Sequence, residues 1–121
     1  MDKEFLEELF APFGEVVVKR MFGGMGVFHR GLNFAAVMDG QLRLKADDET
    51  IADFIAEGMA PWEYTRGDGE DRKVMVMNYW SVPERLFDEP DEFKIWAERA
   101  FDVACRADQA KPAKQRKLQQ I

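Results

Sequence analysis

The sequence holds one cysteine, Cys105, and one histidine, His29, 76 positions apart in a chain of 121 residues. One thiol cannot build an internal disulfide framework, which fits a reducing compartment. A lone His and a lone Cys also put a zinc site of the usual ligand set out of reach. No apolar run approaches the ~20 residues that cross a bilayer. The opening MDKEFLEELF is acidic and amphipathic, unlike a secretory leader or an anchor. These absences lead to the expectation of a cytoplasmic protein without membrane contact.

Catalytic patterns are missing as well. Cys105 falls beside the apolar stripe of a helical segment, where a free thiol packs as a small hydrophobe, and nothing in the spacing brings His29 to it as a base. Ser81 lies outside any nucleophile-elbow pattern. Carboxylates are so abundant that no chosen pair is informative. The acidic run DGED at 68–71 lacks the ligand spacing and closing glutamate of a calcium loop, and reads as a solvated hairpin turn. The expectation is a protein that is not an enzyme and carries no catalytic residue, metal or cofactor.

What is present is a well-supplied core and an uneven charge. Apolar residues make up 46% of the chain, with ten Phe and three Trp, which excludes disorder and suits one domain. The net charge is −6, but after Asp108 the segment QAKPAKQRKLQQI carries Lys111, Lys114, Arg116 and Lys117 and no acid. Setting those four cations aside leaves residues 1–108 with 13 basic and 23 acidic side chains, a net of −10. So acidic a body repels a phosphate backbone, and direct DNA binding is not expected. The division drawn is a domain over 1–108 and a basic, flexible tail over 109–121.

Periodicity gives the elements. Phe5, Leu6, Leu9, Phe10 and Phe13 recur at helical spacing behind Asp2 as N-cap, and Pro12 and Gly14 end the segment. EVVVKRMF, GVFH, LNFAAVMD and QLRLKA are strand-like, with Asp39-Gly40 as a hairpin turn; in the last, Leu42 and Leu44 point in and Arg43 and Lys45 out. DDETIADFIAEG reads as a helix with a stripe of Ile51, Phe54 and Ile55, closed by Gly58. PWEYT and KVMVMNYW follow as two strands around a polar turn, and Val82-Pro83 starts a short helical turn. A last helix runs from about Pro90 to Ala107, with Phe93, Trp96, Ala97, Ala100, Phe101 and Ala104 inward and Asp88 as candidate cap. The fold class is α+β in two layers: an antiparallel sheet of five to six strands with helices on one face, in the order α-β-β-β-(β)-α-β-β-α.

The stretch KRMFGGMGVFHRG at 19–31 carries the only unusual pattern. FGGMG is followed by neither the lysine and hydroxyl of a phosphate loop nor a helix N-terminus, and so reads as a corner between strands. Gly23, Gly24 and Gly26 would supply positive φ or a bulge there. A loop at 22–26 that holds a small ligand or nucleotide is the rival reading. Lys19, Arg20, His29, Arg30, Arg43 and Lys45 gather in the strand region and form a basic patch if they share a face; the plain alternative is a solvated sheet face.

Several fragments in order resemble the N-terminal domain of the TfoX/Sxy family, bacterial regulators linked to natural competence. They are KRMFGGMGVF at 19–28, LRLKAD at 42–47, PWEY at 61–64 (Trp62 standing where phenylalanine is usual), MNYWSVP at 77–83 and WAERA at 96–100. Together they span about residues 10–105, and Arg20, Met21, Phe22, Gly23, Gly24 and Gly26 match the most specific motif. The resemblance, to a stand-alone form of the domain, implies a small α+β fold and no known catalytic activity. It also implies transcriptional control of competence genes, with the cyclic-AMP receptor protein as a partner. The resulting expectation is a regulatory, protein-interaction domain. Its surface would comprise Lys19, Arg20, Met21, Phe22, Gly23, Gly24, Gly26, Arg30, Arg43 and Lys45, with homodimerisation through an exposed sheet edge as a further option.

Overall fold

The structure is a computed structural model that describes residues 1–21 and 23–118. Helix α1 (Lys3–Phe10) starts where Asp2 Oδ1 accepts the amide of Phe5 at 2.8 Å, the N-cap that the sequence announces. Its Leu6 and Phe10 are fully buried, whereas Phe5 remains 42% exposed. Four strands follow as a meander: β1 (Val17–Met21), β2 (Gly24–His29), β3 (Leu32–Met38) and β4 (Gln41–Lys45). After α2 (Ile51–Ala56) come β5 (Pro61–Arg66), β6 (Lys73–Ser81), a 3₁₀ turn at Glu84–Asp88 and α3 (Pro90–Gln109). All strand pairs are antiparallel in the order β1-β2-β3-β4-β6-β5, so β6 inserts between β4 and β5 and leaves β1 and β5 as edges. The α+β class, the strand number and the element order are those expected.

The core lies between the sheet and the helices. Phe10 meets Phe34 edge-on at 5.4 Å and Phe93 at 4.9 Å, a geometry that adds to area burial. Phe34 reaches this cluster through a bulge. Val27 pairs with Ala35 and Phe28 with Asn33, so Phe34 has no strand partner and its ring turns fully inward. That step breaks the simple alternation of LNFAAVMD. Helix α3 buries Phe93, Ala97, Ala100, Val103 and Ala104 along one stripe and docks across β3 and β4.

Three local expectations are corrected. Glu89, not Asp88, precedes Pro90 at the start of α3, and it makes no side-chain cap bond. Helix α2 is short, begins after Thr50, and leaves Ile55 59% exposed. Arg43, expected outside, is 9% exposed. Among the described residues no helix is long and apolar enough to cross a membrane.

Candidate interaction surface

The glycine stretch is a hairpin. Met21 pairs with Gly24, leaving Gly23 and Phe22 between them; Phe22 lies outside the described residues. Gly23 has φ 76°, the left-handed conformation that glycine adopts without penalty. Gly24 is required for a different reason: a Cβ there would sit 1.9 Å from the Val37 carbonyl oxygen. At Gly26 a Cβ would press on Met21 Sδ and Phe28 Cε1, both at 3.0 Å. The three glycines thus let β1, β2 and β3 close up, which is the corner reading in atomic terms.

The cross-strand register lines up Lys19, Gly26, Ala36, Arg43 and Ser81 in one row across the sheet. Lys19 and Arg43 therefore share a face, but three strand spacings of about 4.8 Å, roughly 14 Å, separate their backbones. Lys19 is exposed, with its ammonium 5.2 Å above the Phe28 ring. Arg20 is exposed and Met21 half-buried beside it. Arg43 instead donates from Nη1 to the Ala60 carbonyl at 3.3 Å and from Nη2 to Gln41 Oε1 at 3.1 Å. Its Nε has no partner among the described residues, and burial pulls its pKa below the ordinary arginine value against the pull of Asp39. It serves as a structural brace from β4 across β6 to Ala60, the residue that leads into β5.

Arg30 and Lys45 lie at the opposite end of the sheet from the glycine corner, because adjacent strands run in opposite directions. Arg30 (φ 50°) and Gly31 (φ 80°) form the tight β2–β3 turn. Beside them a cleft of about 630 Å³ opens between α1 and the β1–β2 hairpin, lined by Glu7, Glu15, His29 and Arg30 among others. His29 Nδ1 donates to the Glu15 carbonyl at 2.7 Å, which fixes the proton on that nitrogen. The ring is wedged edge-on between Phe13 and Phe101, 4.9 Å from each. Cys105 is half-buried, and burial pushes its thiol up, away from the thiolate.

Sequence reasoning did not single out the β5–β6 ribbon. β4 pairs β6 only over Arg43–Lys45, opposite Tyr79–Ser81. Among the described residues, the stretch from Trp62 to Arg66 and from Lys73 to Met77 pairs only within its own hairpin. One face of this ribbon exposes Val74 (61%) and Val76 (58%). The other carries Trp62 stacked on Tyr64 at 5.0 Å, with Trp62 Nε1 donating to Asp39 Oδ2 at 3.1 Å. At its base the Tyr79 hydroxyl donates to Asn33 Oδ1, and burial raises its pKa, keeping it protonated. The alternation of KVMVMNYW gives the two faces; that Val74 and Val76 stand exposed while Trp62, Tyr64, Met75 and Met77 are half-buried is decided by the tertiary structure.

These features define a two-layer α+β domain with helices on one sheet face and an apolar ribbon running past its strand partners. Residues 8–104 match the family model of the TfoX N-terminal domain, and the chain belongs to that family. Comparison with curated proteins gave no match.

Proposed function

We propose that this protein is a non-enzymatic regulatory domain that acts in the cytoplasm by binding a protein partner. Family membership supports a regulatory domain of the TfoX type. The observation that carries the interaction reading is the ribbon, whose Val74 and Val76 stand more than half exposed on a two-stranded hairpin. Two-stranded hairpins are marginal alone, and exposed apolar strands invite a covering surface. Lys19 and Arg20 lie on β1, the opposite edge of the sheet from the ribbon, and offer a second, cationic contact for an acidic partner face. Direct DNA contact plays no part in this reading. The partner to test first is the cyclic-AMP receptor protein, within control of competence genes.

The experiment titrates the purified receptor protein, with and without cyclic AMP, against the wild type, a Val74→Lys, Val76→Lys variant and a Lys19→Glu, Arg20→Glu variant. All four positions are exposed, so the variants keep the fold. Saturable binding that both variants weaken is expected. Binding that neither variant changes removes this surface from the reading, and no binding at all removes the receptor protein as partner. Light scattering on the same samples reports any homodimer.

A further inference from the structure

The basic tail turns back onto the body. Asp108, in the last turn of α3 and 1% exposed, accepts the Lys117 amide at Oδ1 (2.9 Å) and the Leu118 amide at Oδ2 (3.0 Å). Those two bonds hold its carboxyl below the usual carboxylate range. Arg116 Nε donates to the Lys111 carbonyl at 2.9 Å, a 3₁₀ turn spans Ala113–Gln115, and Leu118 packs against the core.

This fold-back brings Lys117 to Lys111, whose amide bonds the Asp108 carbonyl at the end of α3 (3.1 Å), around a pocket of about 140 Å³ that Lys45 lines from the end of β4. None of the three ammonium groups makes an ion pair among the described residues. Lys45 is half-buried, and its pKa is lowered first by that burial and then by the charge of Lys111. Like charges brought together at a partly dry spot cost free energy until an anion joins them. Asp108 and the carbonyl end of α3 oppose an anion here. Yet the Asp108 oxygens are occupied by tail amides, and three cations against one carboxylate leave a surplus of two positive charges. Asn33 Nδ2 is spent on the Val27 and Ala35 carbonyls, so recognition falls to the lysines. The pocket opens to solvent and has room for a phosphate group.

We propose that Lys45, Lys111 and Lys117 form a binding site for a single phosphoryl dianion, with Asp108 as the positioning residue that brings Lys117 to it. The dianion is inorganic phosphate or the terminal phosphate of a small monoester; lysine suits either as a point charge. The site is independent of the glycine corner and of the partner-binding ribbon.

Calorimetric titration of the full chain tests it, with inorganic phosphate and glycerol 3-phosphate as separate ligands at constant ionic strength set by chloride. Saturable one-to-one binding of at least one ligand is expected. Lys45→Met and Lys117→Gln should each weaken it about tenfold, ~1.4 kcal/mol, while Lys19→Gln on β1 leaves it unchanged. Tighter binding of the ester assigns the small-molecule source, and equal or tighter binding of phosphate assigns the free ion. Thermal melting in chloride checks that Lys45→Met is folded; if it is not, the Lys111→Gln, Lys117→Gln variant, changed only at exposed positions, decides instead. No saturable binding to the wild type, or binding that survives the deciding variant undiminished, overturns the proposal.

Discussion

Arg30 occupies the left-handed region at φ 50°, where a side chain with a Cβ pays about 1 kcal/mol that asparagine largely avoids. Arg30→Asn is therefore expected to stabilise the domain by about 0.5–1 kcal/mol, read from the urea midpoint at unchanged slope. Gly24 behaves oppositely. Its φ is ordinary, but a methyl would collide with the Val37 carbonyl, so Gly24→Ala should cost about 3 kcal/mol or more as β2 and β3 are forced apart. A cost below that of Gly23→Ala, whose Cβ meets open space, would contradict the close-approach argument. Arg43 sets a third test. Glutamate there would place an unpaired carboxylate beside the Ala60 carbonyl and near Asp39, a loss of about 3–5 kcal/mol, whereas methionine keeps the volume without the charge and should stay within about 1 kcal/mol of wild type. Chemical denaturation of the two variants separates a buried brace from a surface cation.

Elements whose signals are local were legible in the sequence. Asp2 caps α1, Asp39-Gly40 turns with both φ values positive, and the α3 stripe recurs where the spacing puts it. Readings failed where a tertiary contact decided the outcome. The Phe34 bulge answers to the aromatic cluster, Arg43 is buried by the approach of the β5 strand, and the exposure of Ile55 follows from where α2 ends. The glycine corner could be read because strand chemistry flanks it on both sides. The Lys45 pocket could not, since Lys45 and Lys111 lie 66 positions apart and Lys117 joins them only through the Asp108 fold-back. The far end of α3 is fixed by two carboxylates. Asp47 accepts from Arg106 Nε at 2.9 Å and Nη2 at 3.1 Å, and that bonding chiefly holds its carboxyl below the ordinary value; the tail amides do the same for Asp108. A depressed folded value means the ionised form favours the fold, so the contribution is whole above the reference value of 3.8 and drains as pH falls below it. The melting temperature should fall on acidification below about pH 4, and Asp108→Asn should flatten that fall. The share of Asp47 is smaller because the Arg106 pair is exposed to solvent screening. Calorimetric scans of the wild type and both Asp→Asn variants at fixed salt give the slopes.

At the scale of the whole molecule, charge is sorted by position. The body to Asp108 carries −10, and the tail returns Lys111 and Lys117 to one end of the sheet, beside Lys45. Acids occupy the far tip of the β5–β6 ribbon at Asp68, Glu70 and Asp71, beyond the point where Lys45 pairs with Tyr79. A single phosphoryl group can enter the Lys45 pocket without meeting those acids. A duplex cannot, because it carries one negative charge per ~1.7 Å of axis and would lay many of them along the acidic body. Local attraction and long-range repulsion therefore favour a small dianion over a polyanion. Duplex DNA is expected to migrate unretarded in a gel with the protein at about 0.15 M salt, where screening acts over ~8 Å, while inorganic phosphate or glycerol 3-phosphate still binds in calorimetry under the same conditions. Retardation that weakens steeply with added salt, and that disappears in the Lys111→Gln, Lys117→Gln variant, would mean that the tail outweighs the field of the body. The ordering of charge over the molecule would then serve nucleic acid instead.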